Sequence, residues 1–148
     1  MPVDPAPSDL PDRLRAICLA LPEVTERPSH GAPTWFVRDK SSFVTLWRHG
    51  HHANQFPHLW CAAPPGAQAE LAAAEPDRFF RPPYVGGRGW IGVRLDRAID
   101  WTEIAEICQD AYRVIAPARL VTELDRQSAA AISAAQPQDR ETPPPPWP

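Results

Sequence analysis

The sequence predicts an α+β domain with a mostly antiparallel sheet and helices packed on one face. Three observations lead to this class. Apolar residues recur at helical spacing near both ends of the chain, whereas β-branched and aromatic residues form short runs between them. Turn-forming residues separate these runs. The expected order of elements is one helix, three strands, one helix, one strand and two helices, or α-β-β-β-α-β-α-α.

The first ordered element is predicted to be a helix over about residues 9–21. Asp9 can cap its free backbone amides, and Pro22 stops it. Apolar side chains recur on one face at helical spacing. Residues 23–33 contain many turn formers, so we expect a connection there.

Two strands are predicted next, at residues 34–37 and 42–47, because both segments are rich in β-branched and aromatic residues. Residues 38–41 join them, a length that fits a hairpin. A third strand is expected at residues 58–62. Residues 48–56, a polar segment with three histidines and no strand pattern, are expected to form a long loop before it.

The second half of the chain begins with a short alanine-rich helix at about residues 67–74. A strand over residues 90–95 follows a glycine-rich turn and is expected to lie in the middle of the fold. Its alternation buries Ile91, Val93 and Leu95 on one face and leaves the other face open. Two helices are predicted to follow, at residues 101–115 and 117–133.

The 148-residue chain is long enough for one domain with a sizeable core. Its 20 prolines collect at both ends, where few apolar residues could offset the entropy cost of ordering. We therefore expect disordered tails at residues 1–7 and 134–148 around a single domain at residues 8–133.

The chain carries a net charge of −3, which argues against a surface that binds polyanions everywhere but allows a local basic patch. No signal peptide and no apolar run of membrane-spanning length is present, so we expect a cytoplasmic protein with no membrane partner. Neither a phosphate loop nor a dinucleotide fingerprint occurs, and we predict no cofactor. Cys18, Cys61 and Cys108 are expected to be reduced core residues.

An arginine-rich stretch over residues 78–97 is the first candidate site. Guanidinium groups match phosphate geometry and stack on bases, and the glycines of the turn allow close approach of a phosphate. The tip of the predicted hairpin, from Arg38 to Lys40, adds a second group of basic side chains. The predicted DNA-binding residues are Arg38, Lys40, Arg81, Arg88, Trp90 and Arg94.

The histidines of the 48–56 loop are the alternative site. His51 and His52, together with His30, could bind a small anionic ligand beside Trp90 if the loop and Arg88 lie at the same end of the sheet. A structural zinc site needs four ligands, and no cysteine or carboxylate is placed to complete one, so we predict no metal.

Several segments form a pattern through their order and spacing over about residues 9–125. They are Gly31-Ala32-Pro33-Thr34-Trp35-Phe36-Val37, Leu59-Trp60-Cys61, Phe79-Phe80, Gly89-Trp90-Ile91-Gly92-Val93, Asp110-Ala111-Tyr112-Arg113 and Ala116-Pro117-Ala118-Arg119-Leu120. Together with the hairpin that carries Lys40 and Phe43, they resemble the MmcQ/YjbR-like family. His51-His52 resembles a pair in one branch of this family, although Ala53-Asn54 replaces its usual glycine-aspartate turn.

The resemblance implies a fold similar to the CyaY-like (frataxin-like) fold, a double-wing arrangement and DNA binding, with no agreed reaction. The residues show no nucleophile–base arrangement, so we expect a binding module rather than an enzyme. DNA is the first expected partner, and a small anionic ligand or a protein partner is the alternative. We expect a monomer or a weak dimer.

Overall fold

The computed structural model of the protein describes residues 9–52 and 54–135. The predicted tail at residues 1–7 and all but the first two residues of the one at 134–148 lie outside this part of the chain. The helices are α1 (Leu10–Leu19), α2 (Ala67–Ala74), α3 (Trp101–Ile115) and α4 (Ala118–Ala135). The strands are β1 (Val24–Ser29), β2 (Ala32–Val37), β3 (Ser41–Trp47), β4 (His58–Cys61), β5 (Phe79–Phe80) and β6 (Ile91–Arg94).

The six strands form one sheet in the order β1-β2-β3-β4-β6-β5. Every neighbouring pair is antiparallel. Helices α1 and α3 pack against the β1–β3 half of the sheet and against each other. The predicted α+β class, with an antiparallel sheet covered by helices, is confirmed.

Strand β1 was not predicted, because residues 24–29 carry few apolar side chains and include Pro28. An edge strand tolerates proline, since the missing N–H is needed only if a partner lies on that side. The segment is held by its ladder to β2 and by Glu26, whose carboxylate accepts hydrogen bonds from Arg15 (2.8 Å) and from the indole N–H of Trp35 (3.1 Å). The formation of strand β1 therefore depends on contacts with residues that are distant in the sequence.

Strand β5 was also not predicted, because its two residues are too short to give a sequence signal. It pairs with β6, which therefore lies between β4 and β5 rather than in the middle of the sheet. The predicted burial of one face of β6 is confirmed by Ile91, Val93 and, just beyond the strand, Leu95. The other face was predicted to be open, but Trp90 and Gly92 are buried there as well.

The core lies between the sheet and the helices. Trp35, Leu46 and Leu59 reach it from three adjacent strands and are fully buried. Tyr112 of α3 packs edge-on against Phe43 at 5.7 Å, and its hydroxyl donates a hydrogen bond to the carbonyl of Pro22 at 2.8 Å. The three cysteines are free and buried in this layer. No helix within residues 9–52 and 54–135 is long and apolar enough to cross a membrane.

Asp100 caps α3: its carboxylate accepts hydrogen bonds from the backbone N–H groups of Thr102 (3.0 Å) and Glu103 (3.4 Å). Asp100→Ala should lower the free energy of unfolding by about 1 kcal/mol, since these amides lose their acceptor. Asp100→Asn keeps an acceptor and should change stability little. Urea denaturation of the two variants checks this prediction, and equal losses in both would contradict it.

Within residues 9–52 and 54–135, no helix packs against strands β2–β4 on the other face of the sheet. Strand register aligns a row of residues across this face, and a second row lies beside it. The first row is Thr34, Thr45, Trp60, Gly92 and Phe80, and the second is Trp47, His58 and Arg94. The β3–β4 loop and residues 81–90 border this face, which we call the open face.

Candidate ligand-binding pocket

A cavity of about 720 Å³ lies on the open face. Its floor is formed by side chains of β2, β3 and β4, whose alternation turns every second residue away from the helices. Thr34 and Thr45 face each other there, with their hydroxyl oxygens 3.3 Å apart, and Trp47 and Trp60 continue the floor with ring centroids 5.0 Å apart. The floor therefore has a hydroxyl part and an aromatic part.

The β3–β4 loop forms one wall of the pocket. Gly50 turns the chain with φ of 91°, a left-handed conformation that favours glycine. His51 then pairs with Asn54 through two backbone hydrogen bonds of 2.9 Å each. These bonds hold the backbone of His51 in place, so that its side chain is directed toward the tryptophans of the floor.

The His51 ring lies against the floor tryptophans. Its centroid is 4.2 Å from the ring of Trp47 and 4.9 Å from that of Trp60, and the ring of His52 lies 4.0 Å away on another side. Burial is the main cause that lowers the pKa of His51 below its usual 6.5, and the nearby His52 and His30 lower it further. The lowered pKa favours the neutral form of the His51 ring.

Residues 81–90 form the opposite wall. Gln68 of α2 fixes this wall, since its side-chain amide donates hydrogen bonds to the carbonyls of Gly86 (2.8 Å) and Trp90 (2.6 Å). The segment between these two anchor points carries Arg88, whose guanidinium carbon lies 5.0 Å from the Trp90 ring. Tyr84 stands at the rim with φ of 64°.

The described residues that line the pocket include basic side chains but no acidic ones. Among the described residues that line it are Arg88 and the histidines His30, His51 and His52, but no aspartate or glutamate. Within the described ranges, Arg88 has no carboxylate within ion-pair distance. The one permanently charged side chain among the described lining residues is therefore positive, which suits the pocket to a negative group.

Buried polar atoms without hydrogen-bond partners concentrate near this pocket. Six such side-chain atoms occur in the described part of the chain, and five of them belong to residues 47–60. They include the indole N–H groups of Trp47 and Trp60 and Nδ1 of His51. Such unpaired groups are rare in protein interiors, and each is expected to have a partner such as a water molecule or a ligand.

His58 lies beside the pocket under the rings of Phe56 and Phe80, and it is fully buried. Its Nδ1 is 2.7 Å from the carbonyl oxygen of Phe56, which can only accept, so Nδ1 carries a proton and donates it in this hydrogen bond. Burial is the main cause that lowers its pKa below 6.5; His51 and Arg94 act in the same direction, whereas the Phe56 hydrogen bond and Asp96 oppose the shift.

The lowered pKa of His58 predicts a pH dependence of folding. At this site the unfolded chain binds a proton near pH 6.5, whereas the folded protein binds it only at lower pH. The contribution of His58 to the free energy of unfolding should therefore be complete above about pH 6.5 and decrease as the pH falls. The loss for one group is at most about 1.4 kcal/mol per pH unit. Urea denaturation between about pH 5 and pH 8 should show a shallower dependence for His58→Leu than for the wild type. Identical slopes would contradict the prediction.

Five of the sequence-predicted site residues line this pocket together. They are His30, His51, His52, Arg88 and Trp90. The predicted arginine surface, in contrast, is divided. Arg94 lies over the Phe56 ring and pairs with Asp96 at 2.5 Å, and Arg38 lies 3.8 Å from Glu23. Two further arginines of the stretch at residues 78–97 are also paired with carboxylates: Arg78 with Glu75 and Glu103, and Arg97 with Asp96.

Lys40 and Arg81 are exposed and line no part of the pocket. Neither has an ion-pair partner in the ranges that the structure describes. They lie on different elements, Lys40 at the β2–β3 turn and Arg81 just after β5. Of the six residues predicted to bind DNA, only Arg88 and Trp90 therefore share the pocket.

Sequence reasoning missed the floor. Thr34 and Thr45 were not considered. Trp60 was assigned to the core, to which it belongs, but not to the pocket that it also lines. A signal was present, because Leu46 and Leu59 are strongly apolar and directed at the helices, and strand alternation then turns their neighbours to the other face. Gln68 could not have been found, since its partners lie 18 and 22 residues further along the chain.

No group of three or more histidine, cysteine or acidic side chains suited to a metal ion occurs within residues 9–52 and 54–135. His30, His51 and His52 approach each other around the pocket, but they do not form such a group. The chemistry open to this site is thus hydrogen bonding, ring stacking and charge pairing through Arg88.

Comparison with known proteins was made at the level of sequence and of structure. The family model described as YjbR matches residues 19–114. The fold is similar to the crystal structure of the Deinococcus radiodurans protein DR2400, with family-model domain DUF419, at a TM-score of 0.60 and 19% identity. The match covers 77% of this chain and 86% of that one. No curated protein matches the sequence significantly.

Proposed function

The chain belongs to the YjbR family, and from that premise we propose that it is a binding module whose pocket holds a small organic anion. The family gives the fold, on which many unrelated functions can be built, so the proposal depends on the site. It assigns no reaction.

The charge of the pocket lining carries the proposal. Arg88 supplies a permanent positive charge, and its guanidinium lies on the Trp90 ring with no carboxylate partner in the described residues. The three histidines can donate hydrogen bonds, and no described lining residue is acidic. A volume of about 720 Å³ falls within the range of about 300–1,000 Å³ that small-molecule sites occupy.

DNA is the second candidate, and it is supported by Lys40 and Arg81, which are exposed and have no ion-pair partner among the described residues. Arg38 and Arg94 give it less support than the sequence alone gave, because both lie beside carboxylates. Duplex DNA requires several phosphate contacts on one surface, and each paired arginine must first leave its partner.

A binding experiment separates the two candidates. The protein is titrated with a panel of small aromatic and aliphatic carboxylates and inorganic phosphate, and separately with a short DNA duplex at low and high salt. The proposal predicts saturable binding of a small anion and little binding of the duplex. Duplex binding that weakens steeply with salt, together with no response to any small anion, would favour DNA instead.

A further inference from the structure

We propose that the anion held by this pocket is a planar aromatic carboxylate, an inference that rests on the proposed function and specifies its ligand class. Three features of the pocket carry it: a wall of aromatic rings, an exposed tyrosine at the rim and an arginine stacked on a tryptophan.

Aromatic rings dominate the apolar lining. Trp47, Trp60 and Trp90 line the cavity with Tyr84, and the only aliphatic side chain among the described lining residues is Val85. Aromatic rings attract other aromatic rings in offset or edge-on arrangements beyond what buried area alone contributes. A flat aromatic ligand gains this attraction, whereas a saturated ligand of the same size does not.

Tyr84 extends the aromatic wall to the rim. It is 79% exposed, and its ring centroid lies 6.0 Å from that of His51 and 6.2 Å from that of His52. Its backbone has φ of 64°, which costs free energy for a residue other than glycine. An exposed aromatic ring in a strained backbone beside a cavity is explained if that ring covers a bound molecule.

Arg88 determines where the negative group lies. Its guanidinium carbon lies over the Trp90 ring, 5.0 Å from the ring centroid. A guanidinium held over a ring in this way can still donate two parallel hydrogen bonds from its N–H groups to a carboxylate. The ligand would thus place its carboxylate beside Arg88 and its rings against the tryptophans.

The opposite part of the floor adds selectivity. Ser29, Ser42, Thr34 and Thr45 contribute hydroxyl groups to the lining. The hydroxyls of Thr34 and Thr45 already bond to each other. These hydroxyl groups can form hydrogen bonds with polar substituents of an aromatic ring. A purely aliphatic chain offers no group to which they could bond.

Three matched probes test the inference by isothermal titration calorimetry on the whole chain. They are naphthalene carboxylate, its fully saturated analogue decalin carboxylate, and the neutral naphthamide. We expect naphthalene carboxylate to bind about five- to ten-fold tighter than decalin carboxylate, because only the flat rings stack. We expect naphthamide to bind more weakly than the carboxylate by a similar factor.

The outcomes separate this inference from the proposed function. Equal affinity for the aromatic and the saturated carboxylate overturns the inference while the anion site stands. Failure of both carboxylates to bind overturns the proposed function as well. Binding of naphthamide as tight as that of the carboxylate means that the site recognises rings without charge, which also overturns the inference.

A variant at the rim provides a second test. Tyr84→Leu should reduce the preference for naphthalene carboxylate over decalin carboxylate several-fold, because one stacking ring is lost. Tyr84→Phe retains the ring and should keep the preference. Since Tyr84 is mostly exposed, neither change should unfold the domain. An unaltered preference in Tyr84→Leu would show that the rim ring does not contact the ligand.

Discussion

Gly50→Ala is expected to lower the free energy of unfolding by about 3 kcal/mol and to remove ligand binding. Alanine at this position would adopt φ of 91°, and its Cβ would lie 2.7 Å from the carbonyl oxygen of Asn54 and from Cα of Gln55. Backbone atoms cannot move aside as a flexible side chain can. The β3–β4 loop must therefore rearrange, and His51 is displaced from the floor tryptophans.

Gly66→Ala is the matched control for this change. Gly66 has a similar φ of 87°, but no atom lies within 4 Å of an added Cβ, so the variant bears only the conformational cost of about 1 kcal/mol. Urea denaturation compares the two variants, and titration with naphthalene carboxylate reports on the pocket. Equal stability losses and unaltered binding in Gly50→Ala would mean that the loop does not build the wall.

The second large effect is expected at Arg88. Arg88→Gln should weaken the binding of a small carboxylate about ten-fold, because a charge-assisted pair of hydrogen bonds is replaced by a neutral one. Stability should change little, since Arg88 is exposed and has no ion-pair partner in the described residues. Calorimetric titration measures the affinity, and urea denaturation measures the stability of the same samples.

Arg81→Gln is the control, because Arg81 is also an exposed arginine of the same segment but does not line the cavity. Its affinity for the carboxylate should equal that of the wild type. If both variants lose small-anion affinity equally, the effect comes from the general charge of the segment rather than from contact in the pocket. If both instead lose only duplex affinity and salt dependence, DNA is the better-supported ligand.

Much of the fold could be predicted from local patterns. The alternation of Ile91, Val93 and Leu95 showed which face of β6 is buried, and the cap at Asp100 showed where α3 begins. Strand β1 could not be predicted, because its polar sequence becomes a strand only through the ladder to β2 and the contacts of Glu26. Local propensity is weak at such edges, and tertiary contacts decide the structure.

The candidate site was predicted in part. A ligand site at the histidine loop was predicted on the condition that this loop and Arg88 lie at the same end of the sheet, and both line one cavity with Trp90. The ion pairs that divide the arginines were harder to foresee, because Arg78 and Glu103 are 25 residues apart in the sequence. Charge counts along a chain do not show which acid a distant arginine meets in the folded protein.

The central claim, that a small anion binds on the open face beside the stacked rings, is tested most directly by the indole N–H resonances in heteronuclear NMR. Naphthalene carboxylate should shift the signals of Trp47, Trp60 and Trp90, which line the cavity, and leave those of Trp35 and Trp101 unchanged. The claim would be contradicted if naphthalene carboxylate at saturating concentration shifted none of the three pocket signals, or shifted only the signal of Trp35 or Trp101.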